Sequence, residues 1–267
     1  MTAATLAPAA GVTLSGSYEL LLTYLLVMAR LMAFLVIAPP FSGRMLSMKV
    51  KGALAAALAL PIAPALASEA RFADMYALAW AVVYHIGTGA VLGFLAMMLF
   101  AAVQTAGDLI DLFSMFTMSQ LLDPFSNTQS GVFGRIQRLI GTTLLFASGG
   151  HLVMLQGVLR SFQVAPLHAP ALGETAQLLV RDLGVYVVAA LEICGPIVAV
   201  LVLADISLGL VSRAVPSLNI FQLAFPVKTV LTVALASISV SLLPAAVSLL
   251  VDRIQTDMGV VNRLLGG

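Results

Sequence analysis

Residues 183–211 read LGVYVVAALEICGPIVAVLVLADISLGLV, an apolar run interrupted by only two charges, Glu192 and Asp205. Crossing the hydrocarbon core of a bilayer takes about 20 such residues at 1.5 Å each. The run lacks the alternation of a membrane barrel strand. Unpaired backbone groups are not tolerated in lipid, so a helix follows. The same reading extends outward along the chain. Tyr18–Ala38, Val50–Ala67, Tyr76–Val103, Val132–Val158 and Val227–Val251 join Leu183–Val211 as six candidate spans. The expected fold is an all-α, polytopic helical membrane protein made of packed helical hairpins. It is expected to form a single membrane domain over residues 1–267, because the tail Asp252–Gly267 is too short to fold alone.

Composition supports that solvent. Of the 267 residues 61% are hydrophobic and 9% charged, with a mean hydropathy of +1.06. A water-soluble fold carries roughly 25% charged residues. The 13 Lys+Arg and 12 Asp+Glu here cannot coat one. A net charge of +1 without a basic cluster argues against nucleic acid. The single cysteine, Cys194, excludes an intrachain disulfide and reads as a small buried hydrophobe. No basic residue precedes the first apolar run, so the first helix is expected to be retained rather than cleaved.

Loop charges give an orientation. The first connection carries Arg44, Lys49 and Lys51, the third Arg135 and Arg138, and the fifth Arg213 and Lys228. The second and fourth are mixed. Loops one, three and five are therefore expected in the cytoplasm.

Catalytic signatures are missing: there is no P-loop, H-E-x-x-H, G-x-S-x-G or Cys/His zinc pattern, so no enzyme, cofactor or metal site is expected. His85, His151 and His168 lie far apart and read as helix-interface or boundary residues. Gly89-x-x-x-Gly93 offers a close-approach face to another helix. Arg30, Glu192 and Asp205 lie within apolar runs, where a charge is costly, and are expected to be buried against protein or water. They read as structural pairs fixing helix register. The competing reading makes them the polar site of a secondary transporter for a small solute, a class that usually shows internal repeats and paired broken helices.

Between spans, residues 108–130 read DLIDLFSMFTMSQLLDPFSNTQS. Asp123-Pro124 ends any helix there. Phe113, Met115, Phe116 and Met118 set large, deformable apolar side chains among Ser and Thr. A broken apolar segment at membrane depth must lie in protein or line a cavity, which fits a constriction as well as core filling.

Residues 203–228, LADISLGLVSRAVPSLNIFQLAFPVK, resemble the C-terminal signature of the bacterial type III secretion export-gate family, the FliR proteins of flagella and the T components of injectisomes. Gly209, Arg213, Pro216, Asn219, Phe221, Phe225, Pro226 and Lys228 carry it. Further anchors follow in order: Ala29-Arg30, Ala38-Pro39, Ala102-Val103-Gln104 with Gly107, Asp123-Pro124, Gly150-His151, and Ser161-Phe162 with Pro166. The form Leu223–Lys228 looks closer to flagellar members.

The resemblance implies a subunit that joins the P and Q membrane subunits in a helical conduit across the bacterial inner membrane, within a flagellar or injectisome basal body. Unfolded export substrates pass through it. It also implies a loop that helps plug the closed pore, about Leu112–Asp123, with Phe113, Met115, Phe116, Met118, Leu122, Asp123 and Pro124 as its constriction. The family commonly has glycine where Met115 stands, and a polar residue where Phe113 stands. The cytoplasmic-loop residues Arg213, Pro216, Asn219, Phe221, Phe225, Pro226 and Lys228 are implied to meet the B subunit.

Overall fold

A computed structural model describes residues 14–43, 46–67, 75–116, 131–164, 172–217 and 219–266. Among them every regular element is a helix: α1 (Leu14–Ile37), α2 (Pro39–Ser42), α3 (Met48–Leu66), α4 (Met75–Phe113), α5 (Val132–Ala147), α6 (Gly150–Val164), α7 (Leu172–Ala214) and α8 (Ile220–Gly266). The all-α polytopic fold is thus what the sequence reading expected. Among the described residues five helices are long and apolar enough to cross a membrane, six spans if α5 and α6 count together as one.

Local chemistry sets the boundaries. α1 stops before Pro39, whose ring holds Ala38 in an extended conformation (φ −62°, ψ 121°). Ser47 caps α3, its hydroxyl accepting from the Val50 N–H at 3.4 Å. The expected span Val132–Val158 is not one straight helix. It breaks at Ser148-Gly149, where Gly149 adopts φ +73°, and α5 and α6 meet at a 70° bend. The stretch Phe221–Lys228, expected as part of a loop, belongs to the first turns of α8. α7 ends at Ala214 and α8 begins at Ile220, where the Asn219 side chain accepts from the Gln222 N–H at 3.4 Å to start the helix.

The chain divides into two compact units. The first comprises residues 1–93, 158–171 and 262–267. Its core is a hairpin of α1 and α3. Val27, Leu31, Phe34 and Leu35 are buried on α1, and Ala55, Ala59 and Ala63 recur at four-residue spacing along the buried stripe of α3. Small side chains at that spacing bring two backbones close where lipid gives no hydrophobic drive between helices. The Tyr24 hydroxyl accordingly donates to the Ala56 carbonyl at 3.2 Å. Gly89 and Gly93 serve the same end between α4 and α1. A Cβ at Gly89 would fall on the Arg30 carbonyl oxygen, and one at Gly93 would meet Ile37 Cβ at 3.0 Å.

The second unit comprises residues 94–157 and 172–261. Leu95, Ala102 and Ile110 of α4, Phe133 and Leu145 of α5, Ile197 and Leu201 of α7, and Leu243, Val247 and Ile254 of α8 form its core. Polar pairs tie its helices. Gln137 of α5 donates to the Ser239 hydroxyl of α8 at 2.7 Å, and Arg253 of α8 lies 3.7 Å from Asp182 of α7 while also pairing with Asp257 of its own helix at 3.2 Å. Large apolar side chains remain exposed along α7 and α8, among them Leu183, Val187, Leu203, Leu210, Val230 and Leu249.

Candidate functional site

Two polar centres sit inside this apolar frame, one in each unit. In the first, Arg30 is wholly buried. Its Nη1 donates to the carbonyl and the hydroxyl of Ser161, both at 3.1 Å, and the guanidinium lies 4.4 Å from the Phe162 ring centroid and 5.6 Å from that of Tyr84. Hydrogen bonds plus ring faces are what allow a guanidinium to be buried. His85 packs beside Tyr84 and Phe162, buried, with neither ring nitrogen hydrogen-bonded.

The second centre is the C-terminal turn of α4, where the expected plug begins. Asp111 is buried on the last turn. Its Oδ1 accepts from the Phe133 N–H at 3.1 Å and its Oδ2 from the Gly134 N–H at 2.9 Å. The N-cap position of α5 is Gly131, which has no side chain to offer. Asp111 supplies the missing cap from α4, and a Cβ at Gly131 would collide with that carboxylate. A Cβ at Gly107 would meet the Gly134 backbone at 2.6 Å, so the two helices approach closely at this point. Phe116 lies against Phe133 at 5.7 Å between centroids. The chain thus leaves α4 and returns into α5 through a neck held by two charge-assisted hydrogen bonds and a ring contact.

Within the neck, the Ser114 N–H donates to the Ile110 carbonyl at 2.9 Å and the Ser114 hydroxyl to the Asp111 carbonyl at 3.1 Å. Met115 then adopts φ +67°, the left-handed conformation that commonly terminates helices and favours glycine. It is the one non-glycine residue with positive φ among the described residues. The resemblance implied glycine at this position, and the backbone here has the conformation that glycine favours. On the opposite side of the turn, Lys228 Nζ donates to the Phe113 carbonyl at 3.0 Å and pairs with Asp205.

The expected site residues are placed as follows. Phe113, Met115 and Phe116 are half-buried at this turn. Met118, Leu122, Asp123 and Pro124 lie outside the described residues. Of the three charges expected to be buried, Arg30 is in a core. Glu192 and Asp205 are instead exposed on α7: Glu192 falls off the buried stripe of Ala190, Cys194, Ile197 and Leu201, and Asp205 is half in solvent beside Lys228. Arg213, Pro216, Asn219, Phe225 and Pro226 are exposed around the α7–α8 turn, and the side chain of Phe221 lies outside the described ones. Lys228, expected as a partner contact in the cytoplasmic loop, lies in α8. It is 5% exposed and spends its ammonium on Asp205 and the end of α4. Asp111, Gly131 and Ser161 carry the two centres without having been marked as functional. Nothing in local sequence joins an aspartate to a glycine twenty residues on.

The helices define a multi-pass membrane protein of the all-α class. The chain belongs to the bacterial export proteins, family 1, which it matches over residues 21–254. It is 31% identical to the flagellar biosynthetic protein FliR of Escherichia coli, across 76% of this chain and 78% of that one. It is 30% identical to the Yop proteins translocation protein T of Yersinia pestis, across 78% and 82%, and 24% identical to the surface presentation of antigens protein SpaR of Shigella flexneri, across 56% and 58%. These are type III export proteins, and the chain is a membrane component of that kind of apparatus.

Proposed function

We propose that this chain is a subunit of a flagellar type III export gate in the bacterial inner membrane. As one membrane domain it joins P and Q subunits in a helical conduit for unfolded export substrates, with the B subunit at the cytoplasmic side. The turn that begins at Phe113 seals the conduit when idle. A hydrophobic narrowing blocks ions by dewetting, and Met and Phe side chains deform to fill an irregular gap. The neck carries this reading: Asp111 and the Phe116–Phe133 contact hold Phe113, Met115 and Phe116 on a fixed base. The role is scaffold and seal, with energy supplied elsewhere in the machine. The flagellar assignment rests on Leu223–Lys228, since the flagellar and Yop relatives match at 31% and 30%.

Co-purification from mild detergent tests the assembly. The chain should emerge with small helical-hairpin partners, and recovery of the chain alone from cells holding the whole apparatus would overturn it. The solute-transporter reading is the weaker one. The Arg30 guanidinium is engaged by Ser161 and Phe162, and Asp205 by Lys228. Glu192 stands about 20 Å from Asp205 along α7, at 1.5 Å per residue.

A further inference from the structure

Lys228 is a lysine that the fold has chosen to bury. Its side chain is 6% exposed, whereas that of its partner Asp205 is 46% exposed. Burying an ammonium is expensive unless its donors are satisfied. Lys228 has three donors, and two of its partners come from different helices: the Asp205 carboxylate from α7 and the Phe113 carbonyl from the last residue of α4. That carbonyl is among the last four of α4, which have no partner within the helix and carry the negative end of its dipole. A positive donor is the group suited to them. The next residue but one is Met115, in a conformation that costs a non-glycine residue energy and persists only where its surroundings hold it.

We infer that Asp205 and Lys228 form a latch that positions the C-terminal turn of α4 against the α7–α8 hairpin. Lys228 is the positioning residue. Asp205 orients the ammonium, and the ammonium caps the carbonyl of Phe113. Hydrogen bonding to a carbonyl requires a donor, so the latch has a polarity that an ordinary ion pair lacks. Exchanging the two charges would keep an ion pair but put a carboxylate beside a carbonyl, where it repels rather than binds. The consequence for ion leak rests on the proposed sealing role of this turn. The positional claim does not.

The test uses the full gate complex. Spin labels at Leu112 and Val227, both exposed, in a Cys194→Ala background report the distance between the end of α4 and the start of α8. The wild-type residues at 205 and 228 should give one narrow distance distribution. Lys228→Met should broaden it, Lys228→Arg should restore it because a donor is back, and the double exchange Asp205→Lys with Lys228→Asp should stay broad. Asp205→Asn, which keeps an acceptor for the ammonium, should broaden it less than Lys228→Met. A narrow, unshifted distribution for Lys228→Met, or full rescue by the charge exchange, would overturn the latch. Passive ion leak is measured in cells carrying the same complexes. A several-fold rise for Lys228→Met that Lys228→Arg reverses supports latch and seal together. Broadening without leak supports the latch and counts against the seal.

Discussion

The carboxylate of Asp111, at the end of α4, caps the backbone of Gly134, at the start of α5, at 2.9 Å, and the neighbouring Phe133 N–H joins it at 3.1 Å. One side chain therefore closes the base of the segment running between the two helices.

Asp111→Ala removes both bonds and leaves two amide donors at a helix start without their anion. Hydrogen bonds to a charged group contribute about 1.5–3 kcal/mol each, and a lost cap costs about 1 kcal/mol. Amide exchange at Phe133 and Gly134 should accelerate by roughly tenfold or more, at about 1.4 kcal/mol per factor of ten. Protection at the level of the unchanged protein would show that the cap contributes little.

Met115→Gly separates backbone from side chain. Left-handed backbone costs a non-glycine residue about 1–2 kcal/mol, of which glycine returns roughly 0.5–1 kcal/mol as extra unfolded-state entropy. The purified protein should gain up to about 1 kcal/mol in denaturant unfolding, while Met115→Ala should gain nothing. If the methionine side chain contributes to the seal, the more stable glycine variant should also be the leakier one.

Replacing Met115, Phe116 and Met118 together by serine should let ions pass the inner membrane. Fluorescent sodium or pH reporters in cells carrying the assembled apparatus would detect it, and an unchanged membrane conductance would remove the sealing role from this segment.

Arg30→Lys keeps the charge but loses the planar group that lies on Phe162 and reaches both oxygens of Ser161. Arg30→Met removes the charge and the donor to Ser161, whose hydroxyl keeps its own bond to the Val158 carbonyl. Both should lower the unfolding free energy of the detergent-solubilised protein by about 2–4 kcal/mol, with lysine the smaller loss. Equal stability of the lysine variant and the parent would show that the stacked geometry is dispensable.

The helices were legible wherever long apolar runs carried few charges, as in Leu183–Val211 with only Glu192 and Asp205. Their ends were not. α4 runs on from Val103 to Phe113, and α8 begins ahead of Val227, because Asp108, Asp111 and Lys228 are polar residues that still sit in helix with partners of their own. A hydropathy reading stops at such residues, since it prices each one as if it faced lipid alone. Lys228 looked like a loop charge for the same reason, and only its contact with Phe113, 115 residues away in sequence, turns it inward. The sequence marked Met115 only through the glycine that the resemblance implied there. The physical reason that glycine suits it, a left-handed φ, belongs to the backbone.

The elbow at Gly149 has a bearing on the chain as a whole. Its two arms, of 16 and 15 residues, are each about 24 Å long or less at 1.5 Å per residue, short of the roughly 30 Å of a bilayer core. Counted together they make one crossing; counted apart they make none. Whether the elbow folds its two arms into one crossing therefore decides whether the described helices make five passages or six. An even number sends the start of α1 and the end of α8 to the same compartment, and an odd number parts them.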